Sequence, residues 1–291
     1  MIERPLIFVT NDDGFESEGL WTAVEAVLPL GEVLVVAPDR QWSGAGRAMP
    51  PQTTGRYVCD EVKIDGQPIS AYAIDATPAQ TVVHGVVEFA ARRPDLVVSG
   101  INYGANLGIE VTVSGTVGAA LEGGAFGVPS MAVSLEMDPI YHLSGDDGAD
   151  YAAAKVYTRH FAQVLLDSPL PYDVHALNIN IPRQAKADTD WRLTRLSRQR
   201  YFQPVPPDRD QGQGRPGYRL LVDPDQAEFY SDVWAVLVDM VISVTPLSLD
   251  LTSRVDLGAL QGCMRGEEPS CIDVSVSWPT RHREPRSLSV S

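Results

Sequence analysis

The sequence has no run of 18 or more apolar residues, so no segment is expected to cross a membrane as a helix. Its start, Met1-Ile2-Glu3-Arg4-Pro5, lacks the basic cluster and apolar stretch of an export signal. Cysteine is scarce: Cys59, Cys263 and Cys271 cannot all pair, and an odd, low count suits a reducing cytoplasm. The seven residues between Cys263 and Cys271 match no common zinc-ligand spacing, and the five histidines form no H-E-x-x-H pattern. There is no G-x-S-x-G elbow and no Walker lysine motif. The D-x-D-x-T of phosphatases that form an aspartyl-phosphate is missing as well.

Positive charge is also short. The net charge is −15, and residues 1–150 hold 7 Lys and Arg against 21 Asp and Glu, whereas residues 151–291 hold 16 against 17. So acidic an N-terminal half repels a nucleic-acid backbone, and no nucleic-acid polymer is expected as a partner. Solubility accounts for most of these charges. An anionic substrate would need a local metal ion or arginines. The 44% hydrophobic and 21% charged content fit a globular chain with a real core.

What is present is an alternation. Leu6–Thr10 is a short apolar run of the kind a strand covered on both faces needs, followed by the loop Asn11-Asp12-Asp13-Gly14 and a helical pattern from Gly19 to Leu30. A second strand, Val33–Ala37, leads to the loop Ser43-Gly44-Ala45-Gly46 and then an irregular stretch through residue 75. Thr77-Pro78 starts a helix running to about Ala91, with a hydroxyl N-cap and proline at the first position. Strands are expected at 95–100, 128–134 and 176–181, and helices at 116–126 and 150–166. The prediction is an α/β fold, a Rossmann-like, mainly parallel sheet with helices on both faces. Residues 1–183 would form this core. Residues 184–262, with long β-ribbons at 217–222 and 233–246, would form a C-terminal β-ribbon arm, and 263–291 a poorly packed extension.

In an open parallel sheet, ligands bind where loops leave the carboxyl ends of the strands. Three such loops are rich in small polar residues: Asn11 to Asp13, Ser43 to Gly46, and Ser99 to Gly118. Adjacent Asp12 and Asp13 repel unless a cation lies between them, and hard oxygen ligands suit magnesium or manganese. A solvated acidic pair in an Asx-turn is the alternative. Ser114-Gly115-Thr116 opens a helix, where backbone N–H groups make an anion site, although simple N-capping explains the same residues. Gly44-Ala45-Gly46 lacks the third glycine of a dinucleotide fingerprint and follows the second strand, so it is set aside.

Seven segments, in collinear order over roughly residues 5–260, closely resemble the SurE family. They include Val9-Thr10-Asn11-Asp12-Asp13-Gly14, Ser43-Gly44-Ala45-Gly46, Val97-Val98-Ser99-Gly100-Ile101-Asn102, Gly104-Ala105-Asn106-Leu107-Gly108 and Ser114-Gly115-Thr116-Val117. The resemblance implies a 5'/3'-nucleotidase that releases phosphate from nucleoside monophosphates, with one divalent cation, Mg2+ or Mn2+, per subunit. It implies Asp12, Asp13, Ser43 and Asn102 as metal ligands, and Asn106, Ser114, Gly115 and Thr116 as the phosphate pocket. Asp12 or Asp13 would act on the attacking water. It also implies a homodimer or homotetramer made by exchange of C-terminal elements. Ala76, Gln80-Thr81 and Arg47 depart from the family pattern, and Arg47 would add positive charge near the site. A phosphatase for sugar phosphates or short polyphosphate, or a silent nucleotide-binding module, would share these residues.

Overall fold

The computed structural model describes residues 4–64, 66–137, 149–207, 209, 214, 217–220 and 227–266. The chain opens with β1 (Leu6–Thr10), α1 (Glu18–Val27), β2 (Glu32–Pro38), β3 (Tyr57–Ile64), β4 (Gln67–Ile74) and α2 (Pro78–His84). There follow β5 (Leu96–Tyr103), α3 (Gly115–Ala125), β6 (Ser130–Leu135), α4 (Ala152–Asp167) and β7 (Ala176–Ile181). The last part adds β8 (Trp191–Leu193), β9 (Phe202–Val205), β10 (Gly217–Leu220), α5 (Asp232–Leu237), β11 (Ile242–Leu247) and α6 (Leu257–Met264).

Nine strands form one sheet in the order β3-β4-β2-β1-β5-β6-β7-β11-β8, parallel except where β3 meets β4 and β11 meets β7. Side chains alternate between its faces, which is why two cores exist. Ile7, Val9, Val35 and Val98 pack with α1 and α4 on one side, while Phe8, Val36 and Val97 pack with Val82 of α2 and Ala119 of α3 on the other. Helices therefore cover both faces, as the α/β alternation requires.

β1 and β7 form at the expected residues, whereas α1 stops three residues before Leu30. The stretch before residue 75, read as irregular, is instead the β3–β4 hairpin. β3 is the sheet's edge and is exposed along most of its length, so it shows no apolar run to read. The helix expected to reach Ala91 is α only to His84 and continues as one π-helical turn, Gly85–Phe89. Gln80, a departure from the family pattern, completes a capping box with Thr77 and donates to the Pro50 carbonyl.

The ribbon expected at 233–246 is a correction. Ser231 caps a helix there, α5, and only Ile242–Leu247 is a strand, which enters the main sheet beside β7. The continuous apolar run concealed the change, although Ser231-Asp232 is a helix-start signal. A two-stranded antiparallel ribbon does occur, β9 with β10. Residues 221–222 of the other expected ribbon lie outside the described residues. The sheet continues past residue 183 through β8 and β11, and the first compact unit runs Met1–Leu249. The second unit, Asp250–Ser291, holds α6, capped by Asp256, with none of the helix's residues buried. Residues 267–291, including Cys271 and most of the expected extension, lie outside the described residues. Among the described residues no helix is long and apolar enough to cross a membrane.

Candidate active site

Strand order turns around at β1. The chain leaves it toward β2 and β4, then returns to β5 on its other side, so the loops after β1 and β5 part to leave a crevice. Asn11, fully buried, brackets the β1 turn with its side-chain amide: Nδ2 donates to the Gly14 carbonyl at 2.9 Å and Oδ1 accepts from Gly14 N–H at 3.2 Å. That turn sets Asp12 into the crevice, with Asp13 next to it but off the pocket lining. β5 contributes through a slip in its register with β6 between Ser99 and Asn102. Gly100 stands in this slip at φ +133°, where a Cβ would lie 2.3 Å from the Val133 carbonyl oxygen, so no other residue fits.

Asp12 is 4% exposed. Thr116 Oγ1 donates to its Oδ1 at 2.5 Å, and the backbone N–H groups of Gly115 and Thr116 at the start of α3 also point to its carboxylate. A Cβ on residue 115 would sit 2.7 Å from Asp12 Oδ2, so only glycine permits this approach. Burial nonetheless lifts the Asp12 carboxyl to about 6, with these hydrogen bonds opposing it. Asp13 accepts from Tyr103 N–H at 3.1 Å and from Gln41 Nε2 at 3.2 Å. Burial and then the neighbouring Asp12 charge push its carboxyl well above the ordinary range. Neither aspartate has an ion pair among the described residues. Two adjacent carboxylates in this setting are ionised together only with a cation between them.

The donors nearby fit that need. A pocket of about 490 Å³ is lined by Asp12, Ser43, Asn102, Asn106 and Ser114, within the usual range of small-ligand sites, about 300–1,000 Å³. Asn102 spends its Nδ2–H on the Gly104 carbonyl at 2.6 Å, which leaves Oδ1 as a hard acceptor. Among the described residues no three His, Cys, Asp or Glu side chains group to hold a metal, so any ion here would rest on two carboxylates and neutral oxygens. That donor set suits magnesium or manganese.

The expected phosphate residues divide. Ser114, 6% exposed, lines the pocket and caps α3 by accepting from Val117 N–H at 3.1 Å. Asn106 also lines it, fixed by a polar network: its N–H donates to Asn180 Oδ1, its Nδ2 donates to Ser134 Oγ, and its carbonyl accepts from Asn178 and Asn180. Gly115 and Thr116 lie behind Asp12 instead of on the pocket wall. Arg47 is spent elsewhere: its Nε is 2.5 Å from Oε2 of Glu122, a buried carboxylate on α3, so its charge is neutralised there. Sequence reasoning missed Glu110, Arg200 and the aromatic Phe202 and Tyr218, which also line the pocket. Arg200 and the aromatics approach from the β9–β10 ribbon and the segment before it, far away in sequence. No local pattern signals them.

The family model described as "Survival protein SurE" matches residues 7–203. A protein of Thermococcus gammatolerans named "5'-nucleotidase SurE" is 42% identical over 266 residues, 90% of this chain and 96% of that protein. One of Thermus thermophilus, "5'-nucleotidase SurE 1", is 40% identical over 264 residues, 90% of this chain and 99% of that one. A crystal structure of the SurE protein of Aquifex aeolicus superposes with a TM-score of 0.67 at 33% identity, covering 91% of this chain and 100% of that chain.

Proposed function

The chain belongs to the SurE family, and on that premise we propose that it is a 5'-nucleotidase, a metal-dependent hydrolase releasing phosphate from nucleoside 5'- and 3'-monophosphates. Its relatives' names support the reaction class. The observation that carries the metal dependence is the adjacent pair of buried Asp12 and half-buried Asp13, with no cationic partner among the described residues, beside Asn102 and Ser43.

In this reading Asp12, Asp13, Ser43 and Asn102 hold one Mg2+ or Mn2+. When bound, such an ion offsets charge on the phosphoryl oxygens and lowers the pKa of a water. Of the two aspartates only Asp12 lines the pocket, so it is the one placed to take the proton of the attacking water. Thr116 and the start of α3 keep its carboxylate oriented. Ser114, Asn106 and Arg200 receive the phosphoryl group, and Arg200 supplies the guanidinium that a dianion needs. Water oxygen bonds to phosphorus as its proton passes to Asp12, the ester P–O bond breaks, and the leaving alkoxide takes a proton from solvent, to which Asp12 returns the one it took.

Phosphate release from a panel of esters in manganese tests the substrate class. Nucleoside monophosphates should lead the panel; sugar phosphates or short polyphosphate leading it instead would reject the nucleotidase reading.

Ser114 and Thr116 separate by role. Ser114→Ala loses both a cap and a phosphoryl contact, so it should cost about 0.5–2 kcal/mol in denaturant unfolding and lower turnover as well. Thr116→Val keeps the shape but removes the donor on Asp12, so its rate should fall more than its melting temperature. Equal rates for parent and Thr116→Val would remove Thr116 from the site's support.

Association into a dimer or tetramer belongs to the same proposal. α6 exposes Leu257, Leu260 and Met264, as an element that packs on another subunit would. Light scattering at micromolar concentration should give at least twice the 31.6 kDa chain mass; a monomeric mass would refute it. Cys59 and Cys263 are free thiols, in keeping with a cytoplasmic setting.

A further inference from the structure

Two asparagines stand inside the sheet where apolar residues belong. β7 reads Ala176-Leu177-Asn178-Ile179-Asn180-Ile181, and its alternation sends Leu177, Ile179 and Ile181 into the apolar core shared with α1 and α4. The opposite face carries Asn178 and Asn180, both fully buried. Register sets Asn180 abreast of Ser134 in β6 and of Ser243 in β11. Ser243 is satisfied locally by Thr194 Oγ1 at 2.8 Å, whereas the two amides bond outside the sheet. Buried amides are costly unless they are bonded, and Asn180 lies at the carboxyl end of its strand, where ligands gather.

Both asparagines reach Asn106, one of the residues that receive the phosphoryl group. Asn180 pairs with both halves of its backbone, as a neighbouring strand would. Its Oδ1 accepts from Asn106 N–H at 2.7 Å, and its Nδ2 donates to the Asn106 carbonyl at 3.1 Å. Asn178 Nδ2 donates to the same carbonyl at 2.8 Å, although its own Oδ1 is buried and finds no donor among the described residues. An apolar side chain at 178 would avoid that cost. Ser134 Oγ accepts from Asn106 Nδ2 at 3.0 Å and so orients the side chain. The second Nδ2 hydrogen of Asn106 has no acceptor among the described residues, and Asn106 lines the pocket. Three side chains from two strands thus fix its backbone and one side-chain hydrogen, and leave the other hydrogen for a ligand.

We propose, resting on the nucleotidase reading, that Asn180 is a positioning residue of the phosphate site. With Asn178 and Ser134 it holds Asn106 so that the remaining Nδ2–H meets an oxygen of the phosphoryl group. Asn180 itself does not line the pocket and acts only through Asn106. A misplacement of about 1 Å at such a contact can cost about a hundredfold in rate.

The experiment is a double-mutant cycle on kcat/KM in manganese, with Asn180→Leu and Asn106→Ala made separately and together, and a melting curve of each protein. The substrates are 5'-AMP and p-nitrophenyl phosphate. Asn180→Leu, similar in size but without polar atoms, should lose about 10- to 100-fold on both esters, because the phosphoryl group is common to them. On the Asn106→Ala background the same change should cost less than about twofold, since no amide is left to position. Its effect on melting temperature should be equal on the two backgrounds, because the backbone that Asn180 holds is present in both. A merely structural Asn180 would give the same rate loss with and without the Asn106 side chain, and that result overturns the proposal. So does an Asn180→Leu protein as active as the parent. If Asn180→Leu does not fold, Ser134→Ala takes its place in the cycle. It should cost about 2- to 10-fold with Asn106 and nothing with Ala in its place, and equal costs would again overturn the proposal. Parent protein active on p-nitrophenyl phosphate but not on 5'-AMP would reject the nucleotidase reading alone, and the cycle then tests Asn180 on the first ester. Parent protein active on neither rejects both.

Discussion

Asp12→Asn and Asp13→Asn should each lose at least about a thousand-fold in nucleoside monophosphate turnover while staying folded. Each change removes one of the two carboxylate charges proposed to hold the divalent cation. The ion's stabilisation of transition-state charge is worth several kcal/mol, and each 1.4 kcal/mol or so is tenfold in rate. The fold survives because neither carboxylate is part of the apolar core, and an amide still accepts from Thr116 or Tyr103. Stability should in fact move the other way in metal-free protein. The folded carboxyl of Asp12 lies at about 6, above its ordinary 3.8. The folded state thus binds this proton more tightly, and the stability gained is full below about pH 4 and lost as pH rises through about 6. Metal-free Asp12→Asn should therefore melt above the parent at pH 8 and not at pH 4. Melting curves with EDTA at both pH values check this, and a variant that melts lower at pH 8 would show that Asp12 is not held against its charge.

Removing the cation is expected to have an equally large effect. Excess EDTA should bring turnover to background, and Mn2+ or Mg2+ should restore it. An ion that binds only the folded chain also raises its stability, by about 2.7 kcal/mol at a hundredfold excess over its Kd. Adding manganese should accordingly raise the parent's melting temperature and leave that of Asp13→Asn nearly unchanged. Full activity in excess EDTA would dismiss the metal site, whatever the substrate.

How much of this was written in the sequence depends on distance along the chain. β1, β7 and the three small-residue loops were legible because burial on both faces demands unbroken apolar runs, and because strand ends place ligands. The residues Asp12, Ser43, Asn102, Asn106 and Ser114 come together in one pocket from those three loops. Periodicity alone would not have singled out Asn102; its family resemblance did. The β3–β4 hairpin was hidden because an edge strand buries little. α5 was hidden inside an apolar run, where helix and strand look alike. Thr116 was expected to face the phosphate, and its hydroxyl turns to Asp12, a contact 104 residues away that no local rule predicts. Arg200 and Glu110 enter the pocket only through tertiary folding, with Asp232 tying their two segments together.

The central claim is that this pocket removes phosphate from nucleotides by means of the Asp12–Asp13 pair. It is tested most directly by measuring phosphate release from 5'-AMP in manganese, with parent and Asp12→Asn proteins side by side. Steady release by the parent and at least about a thousand-fold less by the variant, at equal folded concentration, is the result predicted. Release at the same rate by both proteins, or by neither, would contradict it.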